Sequence, residues 1–99
     1  MRKVAFITGA SGDIGSAAAT QLAKDGFAVA LGFNSNESSA NELSAQLKSQ
    51  GYEALAVGCD ITDSGSIASA VSLIEKELGE ISLLVNNSVL ADFYFKPFG

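Results

Sequence analysis

The stretch Lys3-Val4-Ala5-Phe6-Ile7-Thr8-Gly9-Ala10-Ser11-Gly12-Asp13-Ile14-Gly15 decides the fold. Its apolar run, Val4 to Ile7, is short and bounded by a glycine, as a strand buried on both faces would be. Gly9, Gly12 and Gly15 follow at even spacing, and an amphipathic segment opens near Asp13. Strand, glycine turn and helix start, in that order, form a phosphate-binding geometry. Glycines let the backbone approach a pyrophosphate, while the unpaired N–H groups and positive dipole end of the helix face the anion. The spacing is not GxGxxG, and no Gly-Lys-Ser or Gly-Lys-Thr follows, which excludes a phosphate-loop NTPase. A flavodoxin-like receiver is disfavoured too, because it needs acidic residues at strand ends and this strand ends in Thr8-Gly9. A nucleotide is the expected ligand.

Outward from this turn, short apolar runs alternate with segments of helical period, the pattern of a parallel sheet with crossover helices. Strands are expected at Lys3 to Thr8, Ala28 to Phe33, Ala54 to Gly58 and Leu83 to Asn86. The first helix should run from about Asp13 to Lys24, with Ile14, Ala18, Gln21 and Leu22 on a face that is mostly apolar and small, and Gly26 as its stop. In the second, Ala40, Leu43 and Leu47 share a face, Ser39 and Glu42 have capping-box spacing, and Gly51 follows. The third carries Ile67, Val71, Ile74 and Leu78, is capped by Asp63 or Thr62, and stops at Gly79. The expected fold is α/β, a Rossmann-like doubly wound parallel sheet in the order βαβαβαβ, over residues 1–90. Residues 91–99 stand apart, since Phe93, Tyr94, Phe95 and Phe98 fall there with Pro97, the only proline. This aromatic tail reads as an edge strand, a packing arm, an oligomer contact or the loose end of an interrupted fold.

Composition narrows the partners. A chain of 99 residues, 47% hydrophobic and 17% charged, supports one small globular domain. Such a domain leaves much of its surface open, so self-association into a homo-oligomer is expected. The net charge of -5 disfavours nucleic acid and anionic membranes. Met1-Arg2-Lys3 precedes an apolar run too short for a signal peptide or a membrane span, so a cytoplasmic location is expected. Cys59 is the single cysteine and the chain has no histidine. A small buried residue between Val57 and Ile61 therefore explains Cys59 better than a catalytic thiol does.

Thr8-Gly9-Ala10-Ser11-Gly12-Asp13-Ile14-Gly15 resembles the TGxxxGxG cofactor motif of the short-chain dehydrogenases/reductases. Two further landmarks agree in order and spacing, namely Asp60 in Cys59-Asp60-Ile61-Thr62-Asp63 and Asn86-Asn87 after Leu83-Leu84-Val85. The region Asn34-Ser35-Asn36-Glu37 looks most like the 3-oxoacyl-carrier-protein reductase branch. The resemblance covers residues 1 to about 90 and implies strand order 3-2-1-4. It also implies that Gly9, Ser11, Gly12, Asp13 and Gly15 surround the pyrophosphate and adenosine ribose, with Ile14 on the nicotinamide side. Asp60 and Ile61 would hold the adenine, and Asn86 with Asn87 would border the ribose. As an isolated DxxD, Asp60 reads better as a turn residue capping the third helix; its place after a parallel strand favours the adenine.

Two departures from the family stand out. Asp13 replaces a glycine, so a carboxylate would sit beside the pyrophosphate unless it turns outward. The family's NNAG becomes Asn86-Asn87-Ser88-Val89. At the end of the second strand, Asn34 and Ser35 are neutral, where an Asp or Glu would bind the ribose hydroxyls of NAD and repel a 2′-phosphate. NADP(H) is thus preferred over NAD. The family's catalytic tyrosine has a lysine four residues on, whereas here Tyr52 is followed at that position by Ala56 and Tyr94 by Phe98. No residue is assigned a catalytic or metal-ligating role. The chain reads as about half of such an oxidoreductase, with a carbonyl substrate entering only where a catalytic half exists.

Overall fold

In a computed structural model the described residues are 3–10 and 12–86. They form β1 (Lys3–Thr8), α1 (Asp13–Lys24), β2 (Phe27–Phe33), α2 (Glu37–Ser49), β3 (Ala54–Gly58), α3 (Ser64–Glu77) and β4 (Ile81–Asn86). The strands make one parallel sheet in the order β3-β2-β1-β4. This is the expected doubly wound arrangement. Residues 87–90 and the aromatic tail 91–99 lie outside the described residues.

Alternation along β1 explains why its run is apolar throughout. Ala5 and Ile7 pack with α1 and α2 on one face, while Val4 and Phe6 pack with α3 on the other. Both faces are covered, so neither set of alternate positions can be polar. Ile7, Leu31, Leu47 and Ile74 are fully buried, each contributing about 1.5–3 kcal/mol relative to exposure.

Four readings of the sequence shift. On α1 the buried face is Gly15, Ala19 and Ala23, and Ile14 is 75% exposed. Small residues let this helix lie close to the sheet, which leaves the larger Ile14 pointing away from the core. The Ser39–Glu42 capping box does not form, because α2 starts at Glu37, after Asn36. The Ala40 N–H already donates to the Asn36 carbonyl at 3.3 Å, so Ser39 has helical backbone and cannot cap. β2 begins one residue early, at Phe27, directly after Gly26 (φ 100°). β4 begins at Ile81 because Val4 pairs with Ile81 and Ala5 with Leu83. Ser82 is the extra residue of that irregularity and breaks the apolar pattern.

Between the two candidate caps of α3, the structure selects Asp63. Its carboxylate accepts from the Gly65 N–H at 2.9 Å and the Ser66 N–H at 3.4 Å. Asp63→Ala should lower stability by about 1 kcal/mol, read as a lower urea midpoint at unchanged slope; an unmoved midpoint would show that water replaces the cap. Among the described residues, no helix is long and apolar enough to cross a membrane.

Candidate functional site

Parallel pairing brings all four strands to one carboxyl edge, with Thr8 opposite Asn86 and Phe33 opposite Gly58. From β1 the chain first builds toward β2 and β3, then returns to place β4 on the other side. The gap between β1 and β4 is therefore a topological switch point, where ligands of open α/β sheets bind.

Thr8 closes the floor of this gap. Its buried hydroxyl donates to Asn86 Oδ1 at 2.9 Å and lies 3.4 Å from the Val85 carbonyl. This bond orients the Asn86 side chain across 78 residues of sequence. Gly9 then turns the backbone at φ 66°, a left-handed conformation that side chains with a Cβ rarely adopt. The Ala10 N–H donates to the Gly32 carbonyl at 3.1 Å, and the Gly12 N–H to the Gly9 carbonyl at 3.3 Å, which ties the turn to β2.

Gly12 is the N-cap of α1 and brings no side chain to the first-turn amides. The nearby Ser16 hydroxyl donates to the carbonyls of Gly12 (2.8 Å) and Asp13 (3.2 Å), so its hydrogen serves acceptors already in the turn. The amides of Asp13 and Ile14 thus open the helix without a side-chain cap, beside the switch point. Asp13 is exposed and lines a shallow depression between α1 and α2 with Thr20 and Gln46. Ile14 stands exposed at the same helix end, and Gly15 is buried against the sheet. Ser11 and Asn87 lie outside the described residues.

At the end of β2, Asn34 and Ser35 are exposed, and the next carboxylate is Glu37, the first residue of α2. After β3 the chain is anchored by the Cys59 N–H on the Phe33 carbonyl at 2.7 Å. Asp60 Oδ1 accepts from the Thr62 hydroxyl at 2.6 Å and the Thr62 N–H at 3.0 Å. Those two bonds hold its carboxyl below the usual carboxylate range, the side-chain bond first. The Asp60 N–H donates to the Ser66 hydroxyl at 2.9 Å, so Asp60 is a turn residue while the cap of α3 falls to Asp63. Cys59 is buried as expected, and burial, then the Asp60 charge, pushes its thiol pKa up. Ile61 is half-buried and lines an apolar groove beside α3.

Gly32 and Thr8 are the positions that sequence reasoning missed. A glycine inside an apolar strand signals close approach of other atoms, and that cue was available at Gly32. The Thr8–Asn86 bond had no local signal.

Residues 3–96 match the family model described as short chain dehydrogenase. The chain belongs to the short-chain dehydrogenases. It is 32% identical, over 96% of its length, to the acetoacetyl-CoA reductase of Cupriavidus necator, covering 39% of that protein. It is 30% identical to the 3-oxoacyl-[acyl-carrier-protein] reductase of Staphylococcus aureus, covering 89% of this chain and 36% of that one. Among solved structures, a blue fluorescent protein from a metagenomic library, crystallised with NADPH, superimposes with a TM-score of 0.82 at 36% identity. That match covers 87% of this chain and 36% of the other. This short-chain dehydrogenase chain therefore spans a little over a third of the curated relatives, less than the half that its length suggested.

Proposed function

We propose that residues 3–87 of this short-chain dehydrogenase bind the adenosine and pyrophosphate part of NADPH, the binding portion of a carbonyl–alcohol hydride transfer system. One observation carries the reading: a helix start without a side-chain cap, reached through a glycine at φ 66°, opens at the switch point between β1 and β4. Gly9, Ser11, Gly12 and Gly15 let the pyrophosphate approach, and the α1 amides supply donors in a chain whose net charge would otherwise repel an anion. Neutral Asn34 and Ser35 accept a 2′-phosphate better than a carboxylate there would. Asp60 and Ile61 border the adenine, while Asn86, oriented by Thr8, and Asn87 border the ribose on the far side. Ile14 offers an apolar surface toward the nicotinamide.

NADPH, when bound, supplies the hydride. Neither tyrosine of the chain has a lysine four residues on, so the chain's own residues bind and orient, and a carbonyl substrate belongs to a polypeptide that also carries the family's Ser, Tyr and Lys. The non-catalytic reading, a dinucleotide-binding or self-associating fragment, rests on the same fact. Purified chain should enhance NADPH fluorescence saturably and leave the cofactor unoxidised in the presence of acetoacetyl-CoA. Absence of saturable binding would sink the proposal, and turnover would overturn the assignment of no catalytic residue. Association of copies along the open edge of β4, in the cytoplasm, completes the reading; sedimentation of the same sample reads the mass, and a monomer at all concentrations removes that part.

Asp13 weakens this site. A carboxylate about 4 Å from a bound anion, with water between them, repels it by about 1 kcal/mol. Asp13→Asn should therefore tighten NADPH binding about fivefold, with the gain shrinking as salt rises. Equal affinity at low salt would show that the carboxylate already points toward α2 and away from the cofactor.

A further inference from the structure

We propose that Ser66, in the first turn of α3, is a positioning residue for the adenine end of the site: its hydroxyl holds the Asp60 backbone and so aims the Asp60 carboxylate at the purine. This role rests on the reading of Asp60 as an adenine contact and adds the residue that sets its aim. In a capping box the third helical residue reaches back to the N–H of the N-cap itself. Here that N–H, from Asp63, already donates to the Asp60 carbonyl at 3.0 Å. The Ser66 hydroxyl accepts the Asp60 N–H instead, at 2.9 Å.

The preceding amide, Cys59 N–H, donates to the Phe33 carbonyl at 2.7 Å. Two successive peptide planes after β3 are therefore fixed, one by β2 and the other by α3. Ser66 and Asp60 are both half-buried, where an amide that loses its acceptor is costly. With its backbone held, the Asp60 carboxylate keeps only its side-chain torsions, and the two Thr62 donors to Oδ1 set these. Those donors, the hydroxyl first, also keep the carboxyl below the usual carboxylate range. It is acceptor-only at neutral pH. Its remaining oxygen, Oδ2, suits the 6-amino group of adenine, a donor, and meets a second acceptor in the 6-oxo group of hypoxanthine.

The wild-type chain should bind NADPH about tenfold tighter than reduced nicotinamide hypoxanthine dinucleotide phosphate, the worth of one hydrogen bond to a charged group. Ser66→Ala should reduce that ratio to about twofold. Ile74→Val trims a fully buried side chain of α3 away from the turn; it should lower the urea midpoint and leave the ratio at its wild-type value. An unmoved ratio in Ser66→Ala overturns the proposal. So does an equal fall in Ile74→Val, because any loosening of α3 would then suffice. Coupling is reciprocal, so in the wild type saturating NADPH should slow hydrogen exchange at the Asp60 amide more than the saturating hypoxanthine dinucleotide does. Equal slowing overturns the proposal, and this measurement decides alone if Ser66→Ala does not fold. A wild-type chain that binds both dinucleotides equally removes the Asp60 contact, one that binds neither removes the cofactor reading, and the role of Ser66 falls with either.

Discussion

Gly32→Val should abolish cooperative unfolding, or lower the stability of the chain by about 3 kcal/mol or more. Gly32 is buried in β2, where an added Cβ would lie 2.9 Å from Phe6 Cε1, 3.1 Å from the Ile7 carbonyl and 3.4 Å from Thr8 Cα. None of these neighbours has room to give. The Phe6 ring is 3% exposed within its own cluster, and Ile7 pairs with Leu31 in the β1–β2 ladder. Valine adds two methyl groups beyond the Cβ, so β2 must move away from β1. Domains of this size are stable by only about 5–15 kcal/mol, which makes such a loss a large fraction of the total. Because the Gly32 carbonyl receives the Ala10 N–H, the same movement pulls on the glycine turn, and NADPH affinity should fall with stability. Urea unfolding followed by circular dichroism reads the first effect. Gly58→Ala is the internal comparison, since a Cβ there meets the Phe33 ring at an ordinary 3.7 Å and should change stability by less than about 0.5 kcal/mol. A wild-type midpoint for Gly32→Val would show that the β1–β2 contact is looser than its geometry.

Gly32 also shows where reading the sequence stops. Continuous apolar runs with a glycine turn between strand and helix carry local information, and β1 and β3 have the expected bounds. Strand order followed from the family resemblance alone. Features that depend on register were not legible. The Thr8–Asn86 hydrogen bond joins residues whose proximity exists only once β1 and β4 are paired. The early start of β4 hides behind Ser82, an exposed polar residue whose place in the strand only the irregular pairing with β1 explains. Helix starts fell between these cases. Asp63 could be named because its carboxylate acts on the next turn, whereas Ser39 had the right spacing but sits inside a helix that Asn36 had already begun.

The proposed cofactor site divides in the same way. Its glycines are visible as a pattern, but that Asp13 lines a depression between α1 and α2 is encoded in no single segment. Likewise Asp60 alone does not say which of its bonds are already made. In the fold one oxygen, Oδ1, takes both Thr62 donors, an arrangement that fixes the carboxylate at the sheet edge.

Asn34→Asp should reverse the cofactor preference, weakening NADPH at least about tenfold relative to NADH. Position 34 follows directly on the last residue of β2 and is exposed at the carboxyl edge, where the adenosine ribose lies in the proposed site. A carboxylate there accepts from the two ribose hydroxyls of NADH and faces the 2′-phosphate of NADPH with like charge. Two unit charges 4 Å apart interact by about 4 kcal/mol at the dielectric typical of a protein surface. Even a third of that amounts to about a tenfold change in affinity. The substitution is nearly isosteric and lies outside the core, so folding should be unaffected, and circular dichroism checks this. Salt provides a second signature: the discrimination against NADPH in Asn34→Asp should narrow as ionic strength rises, because the repulsion is screened over about 10 Å at 0.1 M. Parallel titrations of the wild-type and variant chains with NADPH and NADH, at low and high salt, decide the matter. A ratio of affinities that stays put places the 2′-phosphate away from the end of β2, and the assignment of Asn34 and Ser35 to the cofactor site then fails while the pyrophosphate turn at Gly9–Gly15 stands on its own evidence.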